Sequence, residues 1–113
     1  MRLFQGVVLP HPCDGPFYHD WSTKDWMLKV CEECGEAVEA HKLLKKAVRE
    51  KGSKEEIAQA STHLYQELTD VITAATSALE FMGCDFELRQ VIQKQINESN
   101  GKRDGGRRFR KAW

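Results

Sequence analysis

Four carboxylates stand in two matching pairs. Glu33 and Glu36 lie three residues apart in Glu32-Glu33-Cys34-Gly35-Glu36, and Glu67 and Asp70 repeat that spacing in Glu67-Leu68-Thr69-Asp70. If both stretches are helical, each pair occupies one helix face with its Cβ atoms about 5–6 Å apart. Two such helices can bring four acids to one point. Clustered carboxylates repel one another and are costly to desolvate unless a cation sits among them. The chemistry these residues suggest is the holding of a divalent metal ion. Oxygen-only donors suit a hard ion, Mg2+ or alternatively Mn2+, whereas zinc and copper favour imidazole or thiolate. A di-iron bundle would call for Glu-x-x-His on two helices. None of His11, His19, His41 and His63 has a glutamate three residues before it, and His41 and His63 read as packing or interface residues.

The elements that must position these acids are helices. Ser22-Thr23-Lys24-Asp25 resembles a capping box and opens a helix expected to run to about Glu50. Its apolar positions Trp26, Val30, Cys34, Ala37, His41, Leu44 and Val48 recur every three or four residues. Gly52 is the expected stop. Ser53-Lys54-Glu55-Glu56 opens a second helix, striped by Ile57, Leu64, Leu68, Val71, Ile72, Ala75, Leu79 and Met82 and closed by Gly83. A shorter third helix is expected from Asp85 to about Asn100, ended by Gly101. Residues 1–20 hold all three prolines and read as an extended or looped segment without a strand pattern. The expected division is an N-terminal segment 1–20, a helical domain 21–100 and a basic tail 101–113.

At 100° per residue, measured from Val30, Glu33 lies roughly 60° and Glu36 roughly 120° to one side of the first stripe. Measured from Leu64, Glu67 and Asp70 fall at the same angles on the same side. Glu33 and Glu67 should therefore flank the packed face. Glu32 and Glu39 fall on the far side and read as solvated surface. Acid pairs at this spacing are common on charged helices, so each pair alone is also consistent with plain surface charge.

With 113 residues the chain fits one domain, and 41% hydrophobic with 30% charged residues is a globular composition. Net charge is zero, but residues 101–113 carry six basic residues and one acid, a net of +5, which leaves −5 on residues 1–100. An acidic body with a basic end suits a site that takes cations and an anionic ligand together. There is no membrane span and no signal-peptide pattern, and the expected location is cytoplasmic. Cys31 and Cys34 form a C-x-x-C inside a helical pattern with no second pair, so buried thiols are expected, not a zinc or redox site.

The run Lys29-Val30-Cys31-Glu32-Glu33-Cys34-Gly35-Glu36, followed about thirty residues later by Glu67-Leu68-Thr69-Asp70-Val71, resembles the MazG-like all-α nucleoside triphosphate pyrophosphohydrolases, relatives of the dimeric dUTPases. The resemblance spans roughly residues 21–83. It implies hydrolysis of an NTP or dNTP to the monophosphate and pyrophosphate. Glu33, Glu36, Glu67 and Asp70 would be the catalytic and metal-binding residues. Lys29, Asn97, Asn100, Lys102 and Arg103 are the candidates for the substrate's phosphates. Trp26, seven residues before Glu33 and nearly on the same face, could stack on a base or could simply pack in the core.

The expected fold class is all-α, a helical bundle of two long helices and one shorter one, completed by oligomerisation. Two stripes along helices of roughly 45 Å cannot be covered by one short helix, so a homodimer or homotetramer is expected. Two other functions fit the same residues: a non-catalytic helical interaction module, and a nucleic-acid-associated protein using the basic tail. Neutral net charge and the tail's shortness weigh against the latter.

Overall fold

Each of the two long helices begins at a serine. In the computed structural model, which describes residues 2–4 and 6–110, α1 spans Thr23–Arg49 and α2 spans Lys54–Phe81. Ser22 Oγ accepts from the Asp25 N–H at 3.2 Å, and the Asp25 carboxylate accepts from the Ser22 N–H at 2.8 Å. This two-way box satisfies donors that the first helical turn leaves without partners. Hydrogen bonds donated to the Asp25 carboxylate by the Ser22 N–H and then the Ser22 hydroxyl hold its carboxyl below the usual carboxylate range. Ser53 caps α2 by accepting from the Glu56 N–H at 3.1 Å.

The turn between the helices departs from expectation by one residue. The Gly52 N–H donates to the Ala47 carbonyl at 2.8 Å and the Lys51 N–H to the Val48 carbonyl at 3.1 Å, a Schellman closure. The left-handed position of that motif is filled by Lys51 (φ 56°), not by Gly52. At the end of α2 the glycine does fall in register, with Gly83 at φ 87°.

The third helix, α3, spans Phe86–Lys102, capped by Asp85, whose carboxylate accepts from the Leu88 N–H at 3.0 Å. It runs through Gly101, two residues beyond the expected end. Beyond it the chain turns at Asp104 (φ 55°) and Gly105 (φ 68°), both in the left-handed region, with Arg108 bonded to Asp104 at 3.2 Å and to Asn100 at 3.3 Å. The N-terminal segment also differs: β1 (Arg2–Phe4) pairs antiparallel with β2 (Val7–Leu9), Leu3 opposite Val8. Strands of three residues are too short to show an alternating pattern. The class is nonetheless all-α, since the three helices contain most of the chain. No helix among the described residues is long and apolar enough to cross a membrane.

The chain forms two compact units, one ending at Met82 and one beginning at Gly83. In the first, α1 and α2 fold back on one another along a seam of small residues: Ala37 and Ala40 from α1, and Ala74, Ser77 and Ala78 from α2. Small side chains let two helix axes come close. The expected stripes coincide with the seam only in part: Trp26 and Ala37 are buried, and Val30, Leu44, Leu64 and Val71 are half-buried. On α2, Leu68, Ile72, Leu79 and Met82 are exposed, and on α1 so are Val38 and Val48. Cys31 and Cys34 are exposed as well, not buried as expected, because α1 meets α2 through a face turned toward Glu33 and Ala40.

The end of the seam is closed by aromatics. Trp26 is 2% exposed and stacks on Tyr18 with ring centroids 5.2 Å apart, and Trp21 lies against it at 4.6 Å. The segment that brings in Tyr18 is pinned where the Cys13 N–H donates to Ser77 Oγ at 2.8 Å, while the Ser77 hydroxyl donates to the Thr73 carbonyl at 2.8 Å.

An L-residue in the left-handed region is strained relative to glycine. Lys51→Gly is expected to raise the urea unfolding free energy by about 0.5–1 kcal/mol, glycine's greater unfolded-state freedom offsetting part of the gain. An unchanged or lowered midpoint would count against strain at this position.

Candidate metal centre

The seam carries two carboxylates inward. Glu33 follows Trp26 by seven residues and precedes Ala37 by four and Ala40 by seven, so it shares their buried face. Glu67 precedes Ala74 by seven and occupies the matching line on α2. Glu33 is 7% exposed and Glu67 is half-buried. Asp70, one turn further along α2, is exposed. One ligand atom from each of Glu33, Glu67 and Asp70 lies within 4.8 Å of the others.

Of the two inner carboxylates, Glu33 has a close partner on one side and Glu67 only a distant one. Glu33 Oε1 lies 3.0 Å from Lys29 Nζ, and Glu67 Oε1 lies 3.8 Å from His63 Nε2. Their second oxygens, Glu33 Oε2 and Glu67 Oε2, are buried with no hydrogen-bond partner. A buried carboxylate oxygen without a partner forfeits its hydration with nothing in return. Two of them in one acidic group are what a small hard cation would satisfy, and an all-oxygen donor set is the kind that Mg2+ or Mn2+ takes. The residues therefore fit such an ion.

Glu36 stands at the edge of this group. It is exposed, and its carboxyl is pushed up, first by the charge of Glu33, then by desolvation, a hydrogen bond with Glu33 and the charge of Glu67. The ammonium of Lys29 is held up chiefly by its hydrogen bond to Glu33. Tyr18 borders the same region: its hydroxyl is pushed up by burial and by Cys13, with Lys29 pulling it down and Glu33 pushing it up.

The four expected acids are thus close neighbours, three as a donor group and Glu36 beside Glu33. Lys29 is at the site, engaged with Glu33. Trp26 has its surface covered by Tyr18 and Trp21, so of its two readings core packing is the one its surroundings fit. Asn97, Asn100, Lys102 and Arg103 belong to the second unit. There the Asn97 side-chain oxygen accepts from Gln93 at 2.9 Å and that of Asn100 from Arg108 at 3.3 Å, while Lys102 and Arg103 are exposed. His63, expected as a packing or interface residue, is exposed, with its Nε2 3.8 Å from Glu67. The signal for this in the sequence was the four-residue step to Glu67, which repeats that of Lys29 to Glu33. Glu39 pairs with Lys42 at 3.2 Å on the exposed side of α1.

The chain matches no family description, no curated protein and no solved structure.

The half-satisfied pair makes a stability test possible without any substrate. Glu67→Gln removes one of two facing charges and is expected to unfold at a higher urea concentration than wild type in EDTA, by on the order of 1 kcal/mol. Added Mg2+ is expected to stabilise the wild type and leave the variant nearly unchanged. Equal Mg2+ shifts in both chains would place the ion elsewhere.

Proposed function

We propose that the protein is a metal-dependent nucleoside triphosphate pyrophosphohydrolase, cleaving an NTP or dNTP to the monophosphate and pyrophosphate. The observation that carries this reading is the pair of buried, partnerless oxygens on Glu33 and Glu67 beside Asp70. The resemblance of Glu32-Glu33-Cys34-Gly35-Glu36 and Glu67-Leu68-Thr69-Asp70 to the MazG-like signature supports it from the sequence. Glu33, Glu67 and Asp70 would hold Mg2+ or Mn2+. Such an ion, when bound, neutralises phosphate charge and polarises the phosphorus under attack. Glu36 is exposed and outside the three-donor group, which leaves it available to orient the attacking water and accept its proton. Lys29 brings an ammonium to the same edge, where a phosphate oxygen would be its natural partner.

The reading extends to self-association. Val38, Leu68, Ile72 and Met82 are each about half exposed. A groove of about 390 Å³ between Val38, His41, Leu64, Leu68 and Val71 is almost wholly apolar. A second copy offers the same pair of apolar helix faces, and a two-fold arrangement would cover both at once. The expected species in sedimentation at micromolar concentration is at least twice 13.0 kDa. A stable, active monomer would refute this.

A panel of nucleoside triphosphates with Mg2+, read out as pyrophosphate release, tests the activity. Pyrophosphate is expected as the product, with EDTA abolishing it. Release of single phosphate would overturn the cleavage position, and activity surviving EDTA would overturn the metal. Glu36→Gln and Asp70→Asn are each expected to lower kcat on the order of a hundredfold or more with helical content intact. Glu39→Gln, on the far side of α1, is expected to be silent.

A further inference from the structure

We propose that Lys29 is a resident counter-ion of the acidic group, one that holds Glu33 until a divalent cation arrives and then passes to the anion that accompanies it. The inference rests on the divalent-cation reading above and concerns what the chain's own cation does at that site.

Lys29 Nζ lies 3.0 Å from Glu33 Oε1, and its side chain is 28% exposed, so it reaches the buried carboxylate from the solvent edge. Glu32 Oε1, at 3.7 Å, draws the same ammonium outward. Glu33 Oε2 points elsewhere, buried and without a partner. The two oxygens of one carboxylate thus have different surroundings, one against an ammonium and one buried without a hydrogen-bond partner in a group that includes Glu67 and Asp70. A cation on Oε2 would neutralise the charge that binds the ammonium to Oε1, and the two cations would repel each other. The contact between Lys29 and Glu33 therefore weakens as the ion binds. Lysine is suited to such a handover, being a point charge with three donors on a flexible stem. His63 gives no equivalent contact, since its ring nitrogen is 3.8 Å from Glu67 and its charge depends on protonation.

The handover has a signature that a bracing role lacks. A lysine that merely props Glu33 in place would, when removed, weaken both metal and anion binding. A competing counter-ion gives effects of opposite sign. In Lys29→Met, Mn2+ binding to the protein alone, measured by calorimetry, is expected to tighten about three- to tenfold, the range for losing a partly exposed ion pair. Binding of inorganic triphosphate to the Mn2+-saturated protein is expected to weaken several-fold, and Lys29→Arg to restore it. In the wild-type chain, the ε-methylene NMR signal of Lys29 is expected to shift on adding Mg2+, before any anion is present. This readout stands even if the methionine variant does not fold. A variant that binds Mn2+ equally or more weakly, an unchanged triphosphate affinity, or a Lys29 signal indifferent to Mg2+ would each overturn the handover alone. A wild-type chain that takes up no Mn2+ would overturn the metal reading and this inference with it.

Discussion

The close approach of α1 and α2 along alanine is the constraint from which the rest of the first unit follows. Ala37, Ala40, Ala74 and Ala78 are buried where α1 and α2 pack, and side chains this small let two helices approach. Glu33 and Glu67, on the same lines as these alanines, are carried toward the seam. A bulkier seam would leave room for water to reach both carboxylates. A seam rotated toward Val30 and Leu64 would put them on the flank. The helices thus bury two acids along the alanine lines, at a desolvation cost that the Lys29 ammonium offsets on one side of Glu33.

This explains which parts of the fold and site were legible in the sequence. Helix number and starts were, because Ser22, Ser53 and Asp85 are chemically distinct N-caps. The grouping of Glu33, Glu36, Glu67 and Asp70 was, because spacing alone puts each pair on one face. The rotation of the helices was not. Large apolar residues dominate any reading by hydropathy, and here several of them, Leu68, Ile72, Leu79 and Val48 among them, are exposed, while the buried line is mostly small residues with Trp26 and Glu33. The thiols followed the same error, since Cys34 shares a flank with Val38. The β1–β2 pair and the ordering of the basic end by Arg108 depend on contacts too local or too irregular to carry a period.

The first unit consequently has two unlike sides. One is acidic, with charges held in by the seam and tempered by Lys29 and His63. The other is apolar, with Leu68 and Ile72 of α2 and Val38 of α1 open to solvent. Neither side is satisfied by the helix pair alone. The acidic side keeps two buried carboxylate oxygens without a hydrogen-bond partner, and the apolar side keeps large side chains about half exposed within this unit. The same close packing is responsible for both, because a seam that uses up alanines leaves the large side chains for the outside.

Ser77 shows how little freedom such a seam leaves. Its hydroxyl donates its only proton to the Thr73 carbonyl and at the same time accepts from the Cys13 N–H, all within a site 2% exposed. Alanine would fit the space but would strand the Cys13 amide. Threonine could make both bonds but would add a methyl group at a buried position. Valine would fail on both counts. Position 77 therefore admits serine and little else, although in the sequence it is an unremarked polar residue in the last turns of a helix. The N-terminal segment is held to the bundle through this hydroxyl, which gives and receives at once, and through the stacking of Tyr18 on Trp26.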